Sequence, residues 1–359
     1  MTLEGRFDGD VVIVGGDARQ RFYDSRGYGY PRSGNEIALA PVEAAHLLYR
    51  EDLGAVVDEP GGGDRLSFRS LLASSPSPDF GVQFLVYADV RSRGLYLSPA
   101  ASPWLSSGTA VPDAADFAVF PRGKGPQDGV IQYALRVVGE RTTVPARSLL
   151  SAGEPAADAL AVVDEESEIT YFEVGVPTIE GTSATALPTD VEADLLADRV
   201  ICWDPPRTVY ERTFYGQPLE GRTYERPTLQ CSLLEAAYLA QAGALSLSAS
   251  AVIARGRDVE GERFDRRLAV YTALREAGVV PKTGYKFGAD FRTYADVDDV
   301  EDLGHSELLI RVVPHDHVFE PRDLALDVRL AHGVRKRLVF ALVDADGEIE
   351  WVSLERLTP

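Results

Sequence analysis

The chain has 359 residues, 45% of them hydrophobic, which is enough for more than one domain and for ordinary buried cores. No run approaches the roughly 20 apolar residues of a membrane helix, the start MTLEGRFDGD lacks a signal-peptide pattern, and two cysteines, Cys202 and Cys231, make no disulfide framework but fit reduced thiols in a cytoplasmic protein. The formal net charge of −20, with only four lysines (Lys124, Lys282, Lys286, Lys336), is that of a surface kept hydrated in concentrated salt, and it argues against a nucleic-acid partner unless the basic residues cluster.

In chain order, residues 11–14 are an expected strand and 41–49 an expected helix. Gly61-Gly-Gly-Asp64 and Ser75-Pro-Ser-Pro78 are loop signals. A helix stops at Gly94, strands follow, and a Gly/Ser/Thr/Pro-rich run from 175 to 188 closes the first half. The second half repeats the order: a strand at 199–202, a helix at 233–242, a helix stopping at Gly278, strands, a helix from Pro321 to near Gly333, and a last strand. Six anchors link the halves at offsets of 174 to 192. They pair Tyr28-Gly29 with Tyr215-Gly216, Glu43 with Glu235, and Tyr87 through Gly94 with Tyr271 through Gly278. They continue with Asp116-Phe117 and Asp290-Phe291, Leu135 through Val138 and Ile310 through Val313, and Asp164 and Asp344 in the closing turns. The expected fold is α/β (mixed α+β) in two tandem units of about 180 residues. The expected boundaries are 1–76 and 77–174 for the first unit, 175–192 for a linker, and 193–262 and 263–359 for the second unit.

The densest motif runs from Val279 through Lys282-Thr-Gly-Tyr-Lys-Phe-Gly288 to Asp290-Phe-Arg-Thr-Tyr294. Gly304-His305-Ser306 follows an acidic loop, and Val334-Arg335-Lys336 precedes the closing strands. With Leu274-Arg275 through Gly278 before it, this ordered set resembles the tRNA-intron endonuclease family of archaea. The resemblance implies a nuclease-like second part in each unit, with Tyr294 as general base, His305 as general acid and Lys336 as transition-state stabiliser. The implied substrate is precursor tRNA with a bulge-helix-bulge motif, and the products carry 2′,3′-cyclic phosphate and 5′-hydroxyl ends. No cofactor, metal or membrane is implied. Related enzymes assemble four units, so a homodimer is expected. In the family two arginines clamp a bulge nucleotide; Arg329 matches the first, and Arg356 is the candidate for the second.

The residue chemistry stands beside the resemblance. Metal-free RNA cleavage needs a base for the 2′-hydroxyl, an acid for the 5′-oxygen and a cation for the phosphorane. A tyrosine with an ordinary pKa of about 10 is a poor base, so a neighbouring cation is expected. Acidic residues from Asp296 to Asp302 would favour a protonated His305 if they face it. Arg322, Arg329, Arg335, Lys336 and Arg337 form a basic cluster suited to RNA, arginine planes being able to stack on unpaired bases. In the first unit Phe120, Val130 and Ala156 fall opposite Tyr294, His305 and Lys336, so that unit is expected to keep the fold without the chemistry. The turn 164–168 is a candidate to dock on a partner's basic pocket. Two alternatives remain: a non-catalytic RNA-binding or structural subunit of the same architecture, and a metal-dependent nuclease using the acidic loop. Val14-Gly-Gly-Asp17 fits a turn, and His315-x-His317 fits a solvated loop.

Overall fold

The computed structural model describes residues 2–74, 77–101, 105, 111–112, 114–149, 157–183, 186–219 and 227–359. Ten strands among them form one continuous sheet in the order Val280–Thr283, Phe291–Tyr294, Leu308–Pro314, Arg337–Val343, Ile349–Leu357, Ile169–Gly175, Ala157–Val163, Tyr133–Gly139, Phe117–Val119, Leu97–Pro99. Each half of the chain supplies five strands in mirrored order. The halves meet where Ile169–Gly175 runs antiparallel to Ile349–Leu357. Each half contributes one parallel step to this sheet, Tyr133–Gly139 beside Ala157–Val163 and Leu308–Pro314 beside Arg337–Val343. Parallel neighbours require a crossover, which in the second half is the helix Pro321–Gly333. Leu338 through Val343 are all buried because both faces of this sheet are covered. Helices Phe80–Ser92 and Arg263–Glu276 cover one face. Under the other lies a core drawn from both halves, in which Val138, Leu160 and Phe172 join Leu309, Leu338 and Leu354.

Each unit also carries a smaller sheet. The first has Tyr30–Pro31, Ile37–Leu39, Val12–Val14, Leu3–Phe7, Leu53–Asp58 and Asp64–Leu66 beside the helix Pro41–Tyr49. The second has Ala193–Leu195, Arg199–Trp203, Thr228–Ser232 and Gln217–Pro218 beside the helix Leu233–Gln241. The fold is mixed α/β throughout. Cys202 and Cys231 are buried in the second small sheet as free thiols, their Sγ atoms 3.9 Å apart. Among the described residues no helix is long and apolar enough to cross a membrane.

The repeat extends to single hydrogen bonds. Ser232 caps its helix by accepting from Glu235 N at 3.2 Å, and Glu235 accepts from Ser232 N at 3.0 Å. In the first unit Ala40 takes the cap position before Pro41, and Glu43 alone accepts from Ala40 N at 2.8 Å. The other oxygen of each glutamate accepts from a backbone N–H, Gly29 at 2.9 Å or Gly216 at 3.1 Å. Arg91 and Arg275 stack 3.8 Å over Tyr28 and Tyr215 respectively. The closing turns also coincide, Asp164 accepting from Glu166 N and Glu168 N, and Asp344 from Asp346 N and Glu348 N.

One difference separates the two glutamates. Burial works to raise Glu235, but Lys282 at 2.6 Å, the Ser232 N–H and Arg275 outweigh it and hold the carboxyl at about 2. Strand register puts Ser98 at the place of Lys282, with its buried hydroxyl unpartnered among the described residues. Burial therefore pushes Glu43 up to about 7 against the Gly29 and Ala40 N–H groups and the charge of Arg91. The folded state then holds this proton across a pH range in which the unfolded chain, near 4.5, has released it. Stability from this residue is full below about pH 4.5 and falls as pH rises towards 7. Relative to Glu43→Gln, wild type should lose stability over that window in denaturant titrations. A pH-independent difference would contradict the assignment.

Candidate active site

Three strand ends lie level at one end of the large sheet. Glu307 N donates to Thr293 O at 3.1 Å, and Arg337 N donates to Glu307 O at 3.0 Å, lacing the row Thr293, Glu307, Arg337 across adjacent strands. One residue beyond each member of the row stand Tyr294, Ser306 and Lys336, with His305 next to Ser306. Side chains alternate between faces, so Tyr294, Ser306 and Lys336 share the face opposite to Thr293, Glu307 and Arg337.

A turn positions Lys336. The helix ends at Gly333, Arg335 adopts φ +56°, and Lys336 N thereby reaches back to Ala331 O at 2.9 Å. A left-handed arginine is costly, and here it sets the direction of the lysine. Lys336 Nζ donates to Ser306 O at 2.5 Å and to the Ser306 hydroxyl, and lies 5.7 Å from the Phe287 ring. Burial, then the charge of Arg292, holds its ammonium below the ordinary 10.5.

Tyr294 is 7% exposed. Its ring packs 6.0 Å from Phe214, and the Arg292 guanidinium carbon lies 5.7 Å from it. Phe214 holds φ +54° where the first unit has Gly27 at φ +64°. The second unit thus tolerates a strained backbone to set a ring against Tyr294. His305 is exposed. Among the described residues none of the acidic-loop side chains forms an ion pair with it. Asp296 accepts from the Thr182 hydroxyl at 2.8 Å, Asp299 from Glu301 N at 3.0 Å, and the Asp298 carbonyl from Arg212 at 3.1 Å.

His305, Ser306 and Lys336 reach a cleft of about 770 Å³ that also takes in Thr293, Ala295, Glu307 and His332. Tyr294 does not line it; its neighbours Thr293 and Ala295 do. The segment between the units forms one wall through Thr178, Ile179 and Glu180. Just beyond, Gly181 N donates to Ala277 O, Thr182 N to Ala295 O and Ser183 N to Gly278 O. Gly181 and Gly278 meet backbone to backbone; a Cβ on Gly181 would lie 2.3 Å from Gly278 O. This segment is built into the site.

The basic residues separate. Arg322 and Arg329 are exposed on the helix Pro321–Gly333, while Arg335, Lys336 and Arg337 follow its end. Arg337 pairs with Glu355 at 2.6 Å on the cleft side. Arg356 is exposed and alternates to the face of Val352 and Leu354, which is the face that the helix covers. His315 pairs with Glu350 at 2.8 Å, and no group suited to a metal ion occurs among the described residues. In the first unit Phe120 is buried and Val130 is 51% exposed, while Ala156 lies outside the described residues. The sequence motifs contain Ser306, Phe287 and Arg292 without giving them a role, and Phe214 lies outside those motifs altogether. For Arg292 a signal existed, since it lies two residues before Tyr294 on a strand and the repeat replaces it with Ala118.

A family model described as "tRNA intron endonuclease, catalytic C-terminal domain" matches residues 264–351. Another, "tRNA intron endonuclease, N-terminal domain", matches twice, at 3–72 and 191–254, as a duplicated chain requires. Proteins named tRNA-splicing endonuclease from Haloferax volcanii, Haloarcula marismortui and Natronomonas pharaonis are 54%, 55% and 56% identical to this chain; each comparison covers 99% of this chain and 100% of the relative. The salt-adapted surface expected from the acidic, lysine-poor composition agrees with the haloarchaeal sources of these relatives. On full-length identity, and on family domains falling over both halves, the chain belongs to the tRNA intron endonuclease family.

Proposed function

We propose that this chain excises introns from precursor tRNA at bulge-helix-bulge sites, as a metal-independent endoribonuclease. The observation that supports it most is the level ending of three adjacent strands, which gathers a phenol, an imidazole and an ammonium at one end of one sheet. In this reading the Tyr294 phenolate takes the 2′-hydroxyl proton, and the 2′-oxygen bonds to the adjacent phosphorus. The bond to the 5′-oxygen breaks, and His305 delivers a proton to that leaving group. Lys336, oriented by Ser306, faces the charge that accumulates on the phosphorane. The ends are a 2′,3′-cyclic phosphate and a 5′-hydroxyl.

Arg329 and Arg356, on the same side of the sheet, are the pair proposed to stack on a bulge nucleotide, with Arg335 and Arg337 at the cleft. The active assembly is a homodimer of two-unit chains, in which the first unit is a scaffold and residues 164–168 dock on the partner. The division at 1–76, 77–174, 175–192, 193–262 and 263–359 belongs to this proposal. The test is incubation of a bulged RNA with excess EDTA, followed by end analysis. Cyclic-phosphate ends formed with chelator present are expected, and Tyr294→Phe should slow the single-turnover step about 10²-fold or more. Cleavage lost on chelation would sink the metal-free mechanism.

A further inference from the structure

Superposing the two units by register isolates a column of three side chains on one face. The second unit has Arg292, Tyr294 and Ser306. Phe117 opposes Leu135 as Phe291 opposes Ile310, and Gln132 N donates to Val119 O as Glu307 N donates to Thr293 O. The matching column in the first unit is therefore Ala118, Phe120 and Ile131. Those three close on one another as a small apolar cluster. Where the polar column is absent, the protein fills its place with hydrocarbon, so packing alone does not require an arginine there.

Arg292 is only partly exposed, and its Nε is buried with no hydrogen-bond partner. Among the described residues no carboxylate pairs with it. The nearby charges are already engaged. Asp290 holds Arg263 at 2.5 Å and Arg267 at 3.0 Å and accepts from Val312 N at 2.8 Å. Lys282, directly across the strand pair from Arg292, is bound to Glu235 and to the Phe214 and Gly216 carbonyls. An uncompensated guanidinium at a partly buried position is costly. In a chain with 56 acidic residues it would be easy to neutralise. Its charge also bears on Lys336, a second cation nearby. Arg292, 5.7 Å from the Tyr294 ring, and Lys336, held by Ser306, are two cations close enough to affect one another, and neither has a carboxylate partner among the described residues; the ligand class that suits both is an anion placed between them.

We propose that Arg292 is a further catalytic residue, whose guanidinium binds a non-bridging oxygen of the phosphate being cleaved, while Lys336 takes the other. This rests on the reading of Tyr294 and Lys336 as the cleavage site. The phosphate neutralises both cations at once. A guanidinium suits the task because it keeps its proton at any working pH and presents its donors in a plane.

The experiment is single-turnover cleavage of a bulge-helix-bulge RNA by full-length wild type, Arg292→Ala and Arg292→Lys, with RNA affinity measured separately. Arg292→Ala should slow the chemical step about 10²-fold to 10³-fold, with affinity changed far less. Arg292→Lys should recover part of the rate, and methylguanidinium added at constant ionic strength should restore part of the alanine variant's rate. A phosphorothioate replacing one non-bridging oxygen should slow wild type more than Arg292→Ala. A purely structural arginine would show neither chemical rescue nor a reduced sulfur effect, and that result overturns the proposal. So does cleavage by Arg292→Ala within about threefold of wild type while Tyr294→Phe and Lys336→Ala are inactive. If those two variants retain full rate, the site reading itself fails. Should the alanine variant not fold, Arg292→Lys and its sulfur effect decide: a sulfur effect equal to wild type overturns the assignment.

Discussion

Lys336→Ala should lower single-turnover cleavage of a bulged precursor RNA by about two to three orders of magnitude, the loss seen when one preorganised charge facing a transition state is removed. The fold should survive, because the lysine's contacts are with Ser306 and the Phe287 ring at the sheet's end and not with the core. The pH profile carries more information than the rate. Burial and the charge of Arg292 hold the Lys336 ammonium below 10.5. The group is charged below its lowered pKa and loses its proton as pH rises through it, so activity should fall on the alkaline side earlier than for an ordinary lysine. In Lys336→Arg any residual activity should lack that alkaline limb, since a guanidinium stays protonated. Wild-type rate in Lys336→Ala would remove the lysine from the mechanism.

Lys282→Met should be the most damaging single change to stability outside the apolar core. Glu235 is buried and its carboxylate is matched by Lys282 at 2.6 Å. Removing the lysine leaves a buried charge without its partner, at a cost of about 3–5 kcal/mol. Adding Glu235→Gln should recover much of that loss. In wild type the carboxyl sits at about 2 against an ordinary 4.5. Its stabilisation is present above about 4.5 and disappears as pH falls towards 2. Urea titrations across that range should show an acid-side loss in wild type that is missing from the double variant. Equal stability of Lys282→Met and wild type would refute the pairing. The same lysine holds the Phe214 and Gly216 carbonyls, so its loss should also loosen the Phe214 ring from Tyr294 and reduce cleavage.

The halves were legible in the sequence because their anchors are positions with little freedom. Asp116 and Asp290 each accept a backbone N–H from the next strand, Val137 or Val312, and Glu43 and Glu235 each bridge two backbone donors. Buried acceptors with fixed partners leave residue-type signatures at fixed spacing. A last strand was expected at the end of the chain. Its pairing with Ile169–Gly175 of the same chain is not legible in either segment, because pairing between distant segments leaves no local trace. Tyr294, His305 and Lys336 were legible through their motifs alone. Their placement at one end of the sheet depends on the level row Thr293, Glu307, Arg337, which needs register across three strands. Arg292 looked like an ordinary strand residue until its first-unit counterpart fell into an apolar cluster. The composition of 175–192 suggests a linker; within it Thr178 to Glu180 line the cleft, and Gly181 to Ser183 just beyond are hydrogen-bonded to the backbone at 277, 278 and 295. Glycine content predicts a turn or a close backbone approach equally well, and Gly181 against Gly278 is the latter.

The strand pair at the centre of the large sheet has a further consequence. Two identical chains meeting there would have to form the same pair of facing residues on both sides of a two-fold axis. Joined in one polypeptide, the two sides are free to differ, and they do. Glu173 faces Glu355 on one side, where Glu355 also holds Arg337; at the symmetry-related place Ser353 faces Gly175 and donates its hydroxyl to that glycine's carbonyl at 3.1 Å. Covalent linkage also makes this junction independent of protein concentration. The two halves are thereby held at fixed stoichiometry even at great dilution, and each copy can drift under its own selection without losing its mate.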